Sequence, residues 1–238
     1  TSYVMESTSA NAYIEARVGE AYGNIVGFPY LRTDDGRLLL GSNGVVQRSA
    51  ERVVLGNIQP DFLGGLTNTF SFRGLTLSAL LDIRQGGNVF SFTKAQQMGK
   101  GTGVFTENRE NLINDGVIAQ TDGSFKQSDV VLLPEQYYAQ RFWGNVGEEF
   151  VLDASYISLR EMTFGYSFRP AFLKKTPFRS MKLSVVGRNL AYLKRDQQMK
   201  AMGITPESAY SPSLAAQGFE ANTSPSTRTY GFNLAFSL

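Results

Sequence analysis

Cysteine and histidine are both absent from the 238 residues. Without cysteine there is no disulfide and no thiol chemistry. Without histidine, neither a Ser-His-Asp triad nor a His-ligated zinc site can be built from this chain. No run of eighteen uncharged apolar residues occurs, which excludes a transmembrane helix. Charge of one sign is lacking too: 23 basic against 21 acidic residues leave a net charge of +2. That balance gives no electrostatic case for a nucleic-acid partner. Thr1 to Ala10 has no basic start and no apolar core, so no signal peptide is expected there.

What is present is alternation. In the last ten residues Tyr230, Phe232, Leu234, Phe236 and Leu238 fall on one parity, and Thr229, Gly231, Asn233, Ala235 and Ser237 on the other. A period of two means a strand with one apolar face. A membrane barrel turns such a face to lipid and keeps the small or polar face inside, and about ten residues suffice for a tilted spanning strand. The mean hydropathy of −0.18 is no objection, because alternation hides a lipid face from an average.

Other segments repeat the pattern. Leu66, Phe70 and Phe72 alternate with Thr67, Thr69 and Ser71. After Arg73-Gly74, Leu75, Leu77, Ala79, Leu81 and Ile83 continue it, which predicts a hairpin with a tight turn. Met162, Phe164, Tyr166 and Phe168 form another set, Met181, Leu183 and Val185 a further one, and Ala12 to Val18 a weaker one. The connections alternate in length. Those at about 73–74 and 169–179 are short or modest, whereas those at about 19–63, 93–150 and 193–227 are long. Outer-membrane barrels have short periplasmic turns and long extracellular loops, so with the C-terminus in the periplasm all three long connections fall outside. About six strands are legible, fewer than the roughly eight that closure needs. The remaining strands are expected from a longer parent chain, because open edges in lipid are prohibitive.

The run Gly56-Asn-Ile-Gln-Pro-Asp-Phe-Leu-Gly-Gly-Leu-Thr-Asn-Thr-Phe70 resembles a segment of SusC/RagA-like TonB-dependent transporters. So do Asp153 to Tyr166, Leu173 to Phe178, Leu183 to Leu190 and Pro225 to Leu234, all in family order. The resemblance implies an all-β, antiparallel transmembrane β-barrel, of which residues 1–238 supply the last six or so of about 22 strands. It implies that the plug and N-terminal strands lie outside this chain. It further implies import of an oligosaccharide or peptide across the outer membrane of a Gram-negative cell. A SusD-like lipoprotein would serve as lid, and a TonB complex would act through the plug. No enzymatic activity and no cofactor are expected. The terminal Gly231, Leu234, Phe236 and Leu238 resemble the signal read by barrel-assembly machinery.

Some residues bear two readings. Tyr137, Tyr138, Phe142 and Trp143 could stack on substrate or contact the lid; the plainer role is a small core that folds a long loop. Asp82, Arg84, Glu161, Lys182 and Arg188 sit opposite the apolar face, hence in the lumen, as a lining of mixed sign or a guide for substrate or plug. Arg160 shares the parity of Met162 and Phe164, which requires either a place near headgroups or a bulge that resets the face. A lipid-facing charge at mid-membrane would cost about 2–4 kcal/mol. Asp34-Asp35-Gly36-Arg37 lacks the remaining ligands of a calcium loop and reads as a hairpin turn. Gly99 to Gly103 has no strand–helix context for a phosphate loop. No carboxylate spacing favours glycoside hydrolysis. The competing reading of the whole is a secreted β-rich module that holds glycans with Tyr137 to Trp143; a need for detergent separates the two.

Overall fold

The computed structural model describes residues 2–9, 12–208, 217–224 and 226–237, so Leu238 lies outside the described residues. In chain order the elements open with β1 Ser2–Ser9, β2 Ala12–Arg17, β3 Asn24–Gly27, β4 Leu39–Leu40 and β5 Val53–Asn57. There follow β6 Phe62–Phe72, β7 Leu75–Gln85, β8 Asn88–Ser91, α1 Phe92–Lys100, β9 Val117–Ala119, β10 Phe125–Gln127 and α2 Gln140–Trp143. The last are β11 Val151–Asp153, β12 Tyr156–Ser167, α3 Pro170–Leu173, β13 Ser180–Arg195, α4 Gln197–Met202, β14 Phe219–Glu220 and β15 Thr229–Ser237. Among the described residues no helix is long and apolar enough to cross a membrane.

The chain divides into two compact units. The first consists of Pro60–Gly86, Ser155–Asp196 and Pro225–Leu238. Its strands form one antiparallel sheet in the order β15-β13-β12-β7-β6, with no closure into a barrel. Five of the six strands legible in the sequence are here; the sixth, β2, pairs elsewhere. The β6–β7 turn is made by Arg73 and Gly74, both at positive φ (48° and 92°). Two such residues give a type I′ turn, whose twist matches that of the strands. A Cβ on Gly74 would come 2.8 Å from the Ser167 carbonyl oxygen, so space as well as φ selects glycine.

Cross-strand register puts the apolar residues on one face. Phe70, Leu77, Phe164, Val185 and Phe232 form one continuous row, and Phe72, Leu75, Tyr166, Leu183 and Leu234 the next. All but Tyr166 of these ten are largely exposed. A sheet of a water-soluble domain would bury such a face; a continuous exposed one needs lipid or protein against it. Every residue of β15 is exposed on both faces, as an edge strand must be, so pairing rather than exposure assigns its faces.

Arg160 sits in a bulge. Leu159 pairs with Leu81 and Glu161 with Leu80, so two steps along β12 match one along β7. The extra residue flips the parity, as β-bulges do. Leu159 therefore shares the face of Met162 and Phe164. The Arg160 guanidinium reaches Asp82 on the opposite, polar face, at 2.7 and 2.8 Å. Of the two explanations for Arg160, the bulge is the one realised.

The strand ends flanking the long connections lie together at one end of this sheet: Phe62 beside Gln85, Arg84 beside Tyr156, Tyr156 beside Arg195. At the other end Phe72 pairs with Leu75, Ser167 with Lys182 and Ser180 with Ser237. The alternation of long and short links is thus a property of the sheet itself.

The second unit gathers the long connections: Thr1–Gln59, Gly87–Ala154 and Gln197–Ser224. They have secondary structure of their own. Three small sheets, β1-β2-β3-β5, β10-β9-β4 and β11-β8-β14, organise them. A dry core forms around Phe90, Phe150 and Phe219, all at 0 % exposure, with Ile14, Ile25 and Ile58. Phe90 meets the other two rings edge-on at 5.9 and 5.7 Å, a favoured aromatic geometry. These rings come from residues far apart in sequence, so the core stitches the second connection to the third.

Candidate functional site

Within this folded unit, α1 starts at Ser91, whose hydroxyl oxygen accepts the Lys94 N–H at 3.1 Å. That satisfies one orphan donor of the first turn. The same Ser91 hydroxyl donates to Glu220 at 2.7 Å, and the Thr93 hydroxyl donates to the other carboxylate oxygen at 2.6 Å. Glu220 is buried beside the helix start, where the helix dipole favours an anion. This cap orients Lys94, a buried lysine.

Lys94 donates to the Glu149 carboxylate at 2.8 Å and also to the Glu149 main-chain carbonyl. The Tyr30 hydroxyl donates to the other carboxylate oxygen of Glu149. Burial opposes ionisation of Glu149, but the Lys94 charge and hydrogen bond, the Tyr30 hydroxyl and Arg141 outweigh it and hold the carboxyl below its ordinary range. Burial, and then the Glu149 charge, push the Tyr30 hydroxyl up. Arg141 lies 3.9 Å from Glu149, and its guanidinium donates to the Asn114 side-chain oxygen at 2.8 Å and to the Tyr137 carbonyl.

These groups border a cleft of about 430 Å³, with Tyr137 and Tyr138 on one wall and Gln197 and Gln198 of α4 on another. The sequence-derived quartet is divided by the fold. Glu135–Ala139 forms a turn of π-helix that runs into α2. Tyr138 is buried in the core, its hydroxyl on the Asn108 carbonyl at 3.0 Å, while its ring edge meets Tyr137. Phe142 packs on Phe92 and Phe150. Trp143 is 63 % exposed. The small-core role therefore describes Tyr138 and Phe142, Tyr137 lines the cleft, and Trp143 presents an exposed ring that leans on Phe142 with the ring centres 4.8 Å apart. Lys94, Glu149, Tyr30 and Arg141 were not singled out from sequence; no local spacing marks residues joined across some 120 positions.

On the polar face of the five-stranded sheet, Asp82 is level with Ser158, Arg84 with Tyr156, Glu161 with Arg188, and Lys182 with Ser167. All five residues expected opposite the apolar face are there. Arg188 donates to Glu161 at 2.8 Å, and Asp82 is taken by Arg160 and the Tyr156 hydroxyl. Asp82 and Glu161 are thus each compensated by an arginine. Among the described residues no cluster of three or more His, Cys, Asp or Glu could hold a metal ion. The turn at Asp34-Asp35-Gly36 is closed by Thr33 and Arg37 backbone bonds of 2.8 and 2.9 Å, as a hairpin turn.

A sheet with one apolar face, one polar face and the strand ends of every long connection at one end defines the class: the antiparallel wall of a β-barrel. No family model matches the chain. Over 92 % of its length it is 25 % identical to TonB-dependent receptor P3 of Formosa agariphila, and over 56 % it is 24 % identical to TonB-dependent receptor P39 of that organism. Among solved structures, the RagAB peptide transporter aligns over 99 % of this chain with a TM-score of 0.59 and 16 % identity. The RagAB peptide importer in its open-open state aligns over 100 % with a TM-score of 0.58 and 15 % identity. The resemblance read from the motifs to SusC/RagA-like TonB-dependent transporters thus extends through sequence and fold. The chain spans 23 % of the length of receptor P3 and 24 % of the RagAB chain.

Proposed function

We propose that this chain is the C-terminal wall and extracellular portion of a TonB-dependent outer-membrane importer, the plug and the other strands being supplied by the rest of the same protein. The cross-strand apolar face carries this reading. In it, Phe232, Leu234, Phe236 and Leu238 face lipid, whereas Asp82, Arg84, Glu161, Lys182 and Arg188 face the lumen. The unpaired edges of β6 and β15 pair with further strands, since lipid leaves no water to satisfy them. Gly231, Leu234, Phe236 and Leu238 serve as the assembly signal. The cargo is a glycan or a peptide; the RagAB relatives are peptide importers, and likeness at their level of identity extends to the fold.

The wall is tested at one pair of neighbours. Phe232→Arg in the full-length protein is expected to cost about 2–4 kcal/mol at mid-membrane and to deplete assembled protein in the outer membrane. Asn233→Arg is expected to assemble normally. Equal tolerance at both sites, or the reverse order, overturns the assignment.

A SusD-like lipoprotein covers the folded unit as a lid in this reading, and TonB acts through the plug. Trp143 is the anchor we favour, because an exposed aromatic ring that becomes desolvated can carry about 2 kcal/mol or more of binding. Trp143→Ala should lower lid co-purification with assembly intact. Unchanged co-purification removes Trp143 from the lid contact.

A further inference from the structure

The cleft beside Tyr137 carries an imbalance of charge. Lys94 and Arg141 are two cations; Glu149 is the only anion among its lining residues. Glu149 is already engaged by Lys94 and by the Tyr30 hydroxyl. Arg141 makes a long ion pair with it at 3.9 Å, and among the described residues its hydrogen bonds go to neutral groups, Asn114 and the Tyr137 carbonyl, with the Tyr30 hydroxyl also interacting. Its side chain is 12 % exposed, so water screens it poorly. A guanidinium has five N–H donors, and bonds to carboxylates are about twice as strong as bonds to neutral oxygens. Arg141 therefore has both donors and charge left for an anion. The guanidinium also lies 4.4 Å from the Tyr137 ring centre, which holds it over a flat aromatic face. Across the cleft, α4 brings the exposed amides of Gln197 and Gln198 from a different connection.

We propose that this cleft binds the carboxylate of a short oligomer, with Arg141 as its cation, Tyr137 as the ring that positions the guanidinium, and Gln197 and Gln198 as hydrogen-bonding partners. The carboxylate could belong to an acidic sugar or to a peptide terminus. The inference rests on the importer reading only in taking this ligand to be the cargo; binding is measured apart from assembly and uptake, so either can fail alone.

The test is calorimetric titration of the full-length protein in detergent at low salt. The probes are trigalacturonic acid with maltotriose as neutral counterpart, and N-acetylated trialanine with its neutral N-acetylated amide. At least one carboxylate-bearing probe should bind, more weakly as salt rises, while its neutral counterpart does not. Binding of trigalacturonic acid alone assigns the site to acidic sugars, of N-acetylated trialanine alone to peptide termini, and of both to the carboxylate itself. Gln198→Glu, at an exposed position, should weaken the bound acid roughly tenfold, the scale of one charge interaction largely screened by water. No acid binding at millimolar concentration, equal binding of a neutral counterpart, or an unchanged affinity in Gln198→Glu overturns the proposal.

Discussion

Phe150→Ala should destabilise the folded unit of long connections by about 3–5 kcal/mol, the cost of emptying a fully buried aromatic site. Phe150 has no exposed surface and touches the rings of Phe90 and Phe142. It lies on the core that joins the second and third connections, so the cavity cannot collapse without moving both. Hydrogen exchange of the full-length protein in detergent should show lost protection in α1, β8 and β14 together. The strands β7, β12 and β13 should keep theirs, since they belong to the other unit. Leu133→Ala, at an exposed site, is the control and should stay within about 0.5 kcal/mol. If Phe150→Ala changes exchange no more than Leu133→Ala, the connections do not share a core.

Glu149→Gln is expected to cost about 3–5 kcal/mol, because it leaves the Lys94 ammonium buried with only neutral partners. The double variant Lys94→Met/Glu149→Leu should recover only part of that loss: an apolar pair is tolerated in place of a buried ion pair, but the Tyr30 hydroxyl loses its acceptor, at a cost of about 1–3 kcal/mol. Glu107→Gln, on the surface, should have little effect. The same carboxylate predicts an acid transition. Its folded pKa lies below the unfolded value of 4.5, so its contribution is complete above pH 4.5 and is lost as pH falls through the folded value. Tyr30 acts in the opposite direction: its folded pKa lies above 10.0, so its contribution is complete below pH 10 and fades as pH rises beyond it. Unit stability that is flat from pH 6 down to pH 2, or a Glu149→Gln variant with the wild-type acid profile, contradicts this account.

The wall of this protein was legible in the chain because strand alternation is a local signal. Each of the rows through Phe70 and Phe72 needs only the parity of five segments, and parity survives any arrangement of the loops. The Arg73-Gly74 hairpin was legible for the same reason, since a two-residue turn is decided by the residues in it. The bulge at Arg160 was visible only as a conflict of parity. Its resolution needed the register against β7, because a bulge is a relation between two strands. The aromatic quartet could be found but not sorted: which ring is buried depends on Phe90 and Phe150 from one stretch meeting Phe219 from another. The Lys94–Glu149–Tyr30 network left no trace in sequence at all. A charged pair separated by 55 positions, with a tyrosine 119 positions away, has no spacing rule to betray it. The sequence by itself determined an amphipathic antiparallel wall with long links at one end. Only the tertiary structure decided that those links fold around their own core, because burial of the apolar residues scattered through them is paid off by contacts between connections, and no single connection contains enough of those residues to fold alone.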